Sequence, residues 1–274
     1  MKNIIDAIVT LVQRNNFNLL NSHVGNNRAN NMGEALEIYV KNLFADSFDC
    51  SESERLEKWA ETFSYIGNNN NPPDFMLKFG DAVEVKKIES NDAALALNSS
   101  YPKHTLKSSS TLISNACRDA EDWTEKDMLY IVGVVTRNRL KHLCMVYGRD
   151  YCASDECYER IEDNIYFATG LNFSLEQTDT ITIPVDPTGI TCLNICLGIE
   201  NPWRAFDYVY KPNSQAGFNF FCIINSEKWL TLDNRKKLIA LCEKYSALQM
   251  VDVKIKNPDN LRLAKLITYS VEQM

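Results

Sequence analysis

Asp74, Glu84 and Lys86 are the residues of this chain whose types and spacing suit one kind of chemistry. Pro73-Asp74 and Glu84-Val85-Lys86 place two carboxylates and an amine on neighbouring segments. Carboxylate oxygens are ligands for hard divalent ions such as Mg2+, and a bound ion acidifies water, orients it and neutralises charge developing on a phosphate. Lys86 adds a fixed positive charge. The set therefore suits metal-assisted hydrolysis of a phosphodiester. Acidic chains also produce this spacing by chance, with Glu84 and Lys86 as a solvated strand face and Asp74 in a Pro-Asp turn. The elements around the three residues have to decide.

Phe75 to Lys78 and Ala82 to Ile88 read as short strands joined by the turn Phe79-Gly80-Asp81. Side chains alternate along a strand, so a loop of three residues centred on Gly80 sets Asp74 opposite Lys86 and puts Asp74, Glu84 and Lys86 on one face. Asp74 and Glu84 are then diagonal neighbours, with Cβ atoms roughly 7–8 Å apart, a gap two carboxylates can close around one ion. A two-residue loop would carry Asp74 to the face of Val83 and Val85. The site thus requires an odd turn length.

A helix is expected from about Met32 to Phe44, with Leu36, Val40, Leu43 and Phe44 on one stripe. With Asn31 as N-cap, Glu34 falls at N3, where a glutamate bonds back to the cap amide. Glu37 falls beside Phe44 at the edge of the stripe, and a half-buried carboxylate there needs a cation or water. Glu37 is therefore preferred to Glu34 as a third acid of the site.

Elsewhere, residues 3–14 have helical apolar spacing, and Asn21 to Asn31 forms a polar loop in which Gly25 and Arg28 are available to a DNA backbone. Leu112 to Trp123 suggests a helix, Met128 to Val135 and Leu140 to Tyr147 are apolar strands, and Thr136 to Arg139 turns between them. The order helix, strand, strand, helix, strand, strand implies a mixed α/β sheet flanked by helices. Further strand-like runs are Ile181 to Val185, Thr191 to Leu197 and Phe218 to Ile224, and Leu238 to Leu248 is helical. Two polar stretches offer groups that read base edges or hold phosphate. One is the loop carrying Asn98, Ser99, Ser100, Tyr101 and Lys103, which leaves the strand of Glu84 and Lys86. The other runs from Trp203 and Arg204 through Lys211, Asn213, Ser214 and Gln215, and its composition equally suits a lid or a dimer contact. One domain over 1–274 is expected, with a core at about 30–150 and a C-terminal half given to recognition and dimer elements.

The chain has 274 residues, 45% hydrophobic and 24% charged, which suits a globular protein. At this length about 75% of the unfolded surface is buried, so no disulfide or structural metal is needed. Nine cysteines without a Cys-x-x-Cys pair read as reduced thiols. With no secretory signal and no run of about 18 apolar residues, a soluble, cytoplasmic protein without a membrane partner is expected. The net charge of −7 argues against non-specific coating of nucleic acid. It leaves room for a DNA enzyme with local basic surfaces, and three clusters are candidates, although a solvated face is the plainer reading of any one of them: Lys103, His104 and Lys107; Arg137, Arg139 and Lys141; Arg235, Lys236 and Lys237.

Together, Gly33-Glu34-Ala35-Leu36-Glu37, Pro73-Asp74 and Glu84-Val85-Lys86 resemble the type II restriction endonucleases of the PD-(D/E)xK nuclease superfamily. More narrowly, Gly80-Asp81-Ala82-Val83-Glu84-Val85-Lys86-Lys87 with Leu97-Asn98-Ser99-Ser100-Tyr101-Pro102-Lys103 looks like the NgoPII-type family, whose members recognise GGCC. The resemblance implies a restriction-endonuclease-like α/β fold, a mixed β-sheet core (αβββαβ) flanked by helices, with extra C-terminal strands and helix. It also implies Mg2+-dependent hydrolysis of double-stranded DNA at a short palindrome, leaving 5′-phosphate ends, by a homodimer. Asp74 becomes the shared metal ligand and Glu84 the second, with the Val85 backbone carbonyl beside them. Lys86 positions the attacking water, Glu37 holds water at the metal, and Lys87 faces away with no assigned role. The alternatives are a non-catalytic DNA-binding protein that keeps a nuclease-like fold, and a structure-selective DNA nuclease.

Overall fold

The computed structural model describes residues 1–19, 28–68, 71–93, 95, 102–169, 180–184, 192–196, 200–256 and 261–272. Helix α1 (Ile4–Arg14) opens with a capping box in which the Asn3 side chain accepts from the chain ahead and Asp6 accepts from the Asn3 N–H. Its apolar stripe, Ile4, Ile5, Ile8, Leu11 and Val12, is buried. Helix α2 (Arg28–Ala45) begins four residues before the expected Met32. No proline or glycine lies between Arg28 and Met32 to stop it. Asn31 is therefore inside the helix rather than its cap, and the capping role expected for Glu34 falls away.

Helix α3 (Glu52–Thr62) and strand β1 (Phe63–Asn68) follow, neither of them signalled by apolar periodicity. Thr62 is the residue α3 buries, so its identity rests on its cap, where Ser51 and Glu54 form a capping box. Strands β2 (Asn71–Leu77) and β3 (Ala82–Ile88) form the expected hairpin. After β4 (Thr105–Lys107), the helix expected over Leu112 to Trp123 is one turn, α4 (Asn115–Arg118). Arg118 donates back to the Ser108 and Ser110 carbonyls, at 2.9 and 3.0 Å, which ties the segment into a loop. Strands β5 (Glu125–Thr136) and β6 (Arg139–Tyr147) then pair through a two-residue turn in which Arg137 and Asn138 both have positive φ, 50° and 63°. That is the primed geometry favoured between twisted strands.

The second half contains α5 (Gly148–Tyr151), α6 (Asp155–Thr169), β7 (Thr180–Pro184), β8 (Cys192–Cys196), α7 (Pro202–Ala205), β9 (Ala216–Asn225), α8 (Ser226–Thr231), α9 (Arg235–Lys244), β10 (Leu248–Lys256) and β11 (Leu261–Glu272). Among the described residues, strands β7 and β8 pair only with each other. The remaining strands make a nine-stranded sheet in the order β1-β2-β3-β5-β6-β9-β11-β10, with β4 on β5. Strand β3 runs parallel to β5 and β6 parallel to β9, so the sheet is mixed. Strands β1, β2 and β3, then α4, then β5 complete the restriction-endonuclease-like core, with β1 as the strand the residue pattern missed.

Alternation along β5 sorts the interior into two layers. Leu129, Ile131 and Val135 join α1 and α2 on one face, and Met128, Tyr130, Val132 and Val134 join Trp203, Phe206 and Tyr210 on the other. Helix α2 sits close enough that a Cβ on Gly133 would lie 2.8 Å from the Leu36 side chain, which would have to shift to admit it. Among the described residues no helix is long and apolar enough to cross a membrane, and Cys50, Cys117, Cys144, Cys152, Cys157, Cys222 and Cys242 are free thiols.

Candidate active site

Strands β2 and β3 pair Phe75 with Val83 and Met76 with Ala82. Leu77 N–H donates to the Asp81 carbonyl and Gly80 N–H to the Leu77 carbonyl, both at 3.0 Å. The loop is therefore Lys78-Phe79-Gly80, centred on Phe79 at φ 55° and not on Gly80. Its length is odd, as required, so Asp74, Glu84 and Lys86 share a face. Its centre lies one residue early, which slides the register by two and sets Asp74 opposite Glu84 instead of Lys86. Distant groups hold the turn there: Glu121 accepts the Phe79 N–H at 2.9 Å, and Lys126 donates to the Gly80 carbonyl at 2.7 Å.

The same register explains what surrounds the carboxylates. Hydrogen-bonded pairs alternate along an antiparallel ladder, so after Leu77/Asp81 and Phe75/Val83 the next would be Pro73/Val85. Proline has no N–H to donate. The ladder stops, the Val85 carbonyl receives no donor from Pro73, and the Val85 N–H donates to Asp74 Oδ2 at 2.6 Å. Because a strand residue directs its N–H and C=O to the same side, that carbonyl faces the Asp74 edge. Gly67 on β1 makes room for this arrangement: a Cβ there would collide with the Pro73 carbonyl oxygen and lie 2.9 Å from that of Asp74.

Burial drives the Asp74 carboxyl well above the ordinary range, and Glu84 and Glu37 push it further, against Lys86 and the Val85 N–H. Burial lowers Lys86, but Glu84, Asp74 and Glu37 outweigh it, so the ammonium is held above its usual value. Lys86 Nζ lies 2.7 Å from Glu84 Oε1. Glu84 Oε2 is buried and has no hydrogen-bond partner. Glu37 pairs with Lys41 at 2.8 Å and acts electrostatically on both Asp74 and Lys86, whereas Glu34 is exposed. Among the described residues no three His, Cys, Asp or Glu side chains already converge as a metal cage. The orphaned Glu84 oxygen, the Asp74 carboxyl and the Val85 carbonyl, which Pro73 cannot bond, are all hard oxygen donors, which fits a cation of the Mg2+ type.

The expected DNA-reading residues divide. Asn98, Ser99, Ser100 and Tyr101 lie outside the described residues. Lys103 is 7% exposed, with its backbone N–H held by the Tyr130 hydroxyl at 2.7 Å. Trp203 is 5% exposed and packs on His142 and Phe221, with ring centroids 6.0 and 5.9 Å away. Both are buried in this structure, which corrects the expectation that they stand on a reading surface; the large apolar area of Trp203 explains its burial. Arg204 is exposed and pairs with Glu200 at 3.3 Å. Lys211, Asn213, Ser214 and Gln215 are exposed, and their loop is anchored where Asn219 exchanges two 3.0 Å hydrogen bonds with the Asn213 backbone. Gly67 and Pro73 escaped notice as positioning residues, although a proline inside a strand already signals a broken ladder.

Known proteins resemble this chain over nearly its whole length. A family model described as NgoPII restriction endonuclease matches residues 2–256. The chain is 50% identical, over 277 residues covering 97% of it and 99% of the relative, to Type II restriction enzyme NgoPII of Neisseria gonorrhoeae. No solved structure matches the chain.

Proposed function

Since the chain belongs to the NgoPII restriction endonuclease family and is a type II restriction enzyme that cleaves DNA sequence-specifically, we propose that it hydrolyses double-stranded DNA at GGCC with Mg2+ held by Asp74 and Glu84. Type II restriction enzymes generally use divalent metal ions. Such an ion supplies charge neutralisation at the phosphate and a lowered pKa for water. The supporting observation is Glu84 Oε2, a buried carboxylate oxygen with no donor, beside an Asp74 carboxyl raised by its burial and its acidic neighbours.

Asp74 and Glu84 would hold the cation together with the Val85 carbonyl, to which Pro73 has no N–H to donate. Lys86, released from Glu84, orients the attacking water and faces the charge gathering on the phosphate oxygens. Glu37, at the α2 side of the same edge, holds water in place. The cut leaves a 5′-phosphate and a 3′-hydroxyl. A palindromic site calls for two-fold symmetry, so two copies act, one active site per strand. Each copy is one domain, and the exposed loop of Lys211, Asn213, Ser214 and Gln215, with Arg204, approaches the bases. Asn98 to Tyr101 remain part of this proposed reading surface.

Plasmids with and without GGCC, incubated in Mg2+ or EDTA, test the assignment. Wild type should fragment only the GGCC plasmid, only with Mg2+, and give 5′-phosphate ends. Asp74→Asn and Lys86→Ala should each lose on the order of 10³-fold in rate, the scale of removing a group that stabilises transition-state charge. Metal-dependent cutting that survives both substitutions would overturn the site, and cutting at another sequence would overturn the GGCC assignment.

A further inference from the structure

Beside the cleaving residues lies an open groove of about 390 Å³, bounded by Met32 of α2, Lys87 and Glu89 after the catalytic strand, and the β5–β6 tip at Thr136 and Arg137. Strands β3 and β5 are parallel, with Lys86 beside Val132 and Ile88 beside Val134. The tip therefore projects from the end of the sheet toward which β3 runs, past Lys86. Lys87 points to the opposite face from Lys86, the face covered by α2. The two faces meet at the edge where β2 leaves β3, because Glu37 acts on Asp74 from the α2 side.

We infer that this groove binds a backbone phosphate of the DNA, with Lys87 and Arg137 supplying the positive charge and the Thr136 hydroxyl a donor. Arg137 is exposed, and among the described residues no carboxylate pairs with it. Lys87 pairs with Glu89 at 2.5 Å, but the Glu89 side chain is 74% exposed. Such a pair is weak in water and exchanges readily for a phosphate. Two cations against one acid leave the groove with a net attraction for an anion. Its tip is also pre-set: Leu19 N–H donates to the Asn138 carbonyl at 2.9 Å and Leu140 N–H to the Phe17 carbonyl at 2.8 Å, bracing the hairpin from outside. From strand spacing and rise, Arg137 lies about 17 Å from the backbone of Lys86. At 3.4 Å of axial rise per phosphate that is about five nucleotides, so a strand leaving the active site reaches the groove within the footprint of a short site. In a chain of net charge −7, a local contact of this kind is what draws the DNA backbone to the cleaving edge.

The inference rests on Lys86 and Glu84 marking the cleaving edge, and it is tested apart from cleavage. Binding of a GGCC duplex and a scrambled duplex is measured without metal by fluorescence anisotropy over a salt series. Arg137→Ala should weaken both duplexes by the same factor, about eightfold at 0.1 M salt, and reduce the slope of log K against log salt by about 0.9, the signature of one lost phosphate contact. Adding Lys87→Gln should reduce the slope by about twice that, and Arg137→Lys should restore it. Unchanged affinity and slope overturn the inference. A loss confined to the GGCC duplex also overturns it, because Arg137 would then be reading bases. Failure of the catalytic assignment would appear elsewhere, as cutting that survives Asp74→Asn.

Discussion

The β2–β3 hairpin carries a cluster of ionisable side chains at each end, and the two are resolved in opposite ways. Beside the turn, buried Asp81 accepts from Lys228 at 2.5 Å and from the Tyr147 hydroxyl at 2.9 Å, while Lys228 also pairs with Asp127 at 2.7 Å and Asp127 with Arg149 at 2.7 Å. Burial raises the Asp81 carboxyl and the lysine opposes that rise. Two acids face two bases, and the Asp81 oxygens have donors. At the open end Asp74, Glu84 and Glu37 face Lys86 and Lys41, and one Glu84 oxygen has no donor at all. An uncompensated buried charge costs several kcal/mol, so a purely structural cluster is closed by the protein itself. The orphaned oxygen of the open cluster supports the proposed cation site there.

This contrast can be broken or sharpened. The largest effect should come from the open end, where Asp74→Asn removes a buried acid beside Glu84. Its metal-free melting temperature should stay level or rise while cleavage is lost, and a clear fall in melting temperature would make Asp74 a structural residue. At the closed end Lys228→Met leaves Asp81 buried with no cation, only the Tyr147 hydroxyl, and should cost about 3–5 kcal/mol in urea unfolding. A loss under about 1 kcal/mol, the range of exposed pairs, would erase the distinction between the clusters. The smallest effect is expected from Gly67→Ala. Its methyl group meets the Pro73–Asp74 backbone and should cost about 1–3 kcal/mol. Cleavage by the folded fraction should fall as well, and full activity would show that β1 does not position Asp74.

Alternation with a period of two and the helical advance of about 100° per residue are local rules, and they determined much about this protein. They put Asp74, Glu84 and Lys86 on one face, provided the turn was odd, and put Glu37 nearer the interior than Glu34. The quoted motifs were enough to identify the family and, through it, the αβββαβ core. Local rules did not reach α3 and β1, whose signal was a capping box without an apolar stripe. Nor could they tell that Trp203 belongs to the core, since a short polar stretch does not reveal which of its aromatics meets His142 and Phe221.

What the tertiary structure alone decided is the register of the hairpin and the chemistry that follows from it. Glu121 and Lys126, about forty residues further along, settle the turn on Phe79. That choice sets Asp74 opposite Glu84 and brings Pro73 against Val85. Sequence spacing specifies parity, because each residue reverses the side chain's direction. It cannot specify register, because shifts of two residues keep the same face toward the same layer, and only contacts from elsewhere in the chain select among them.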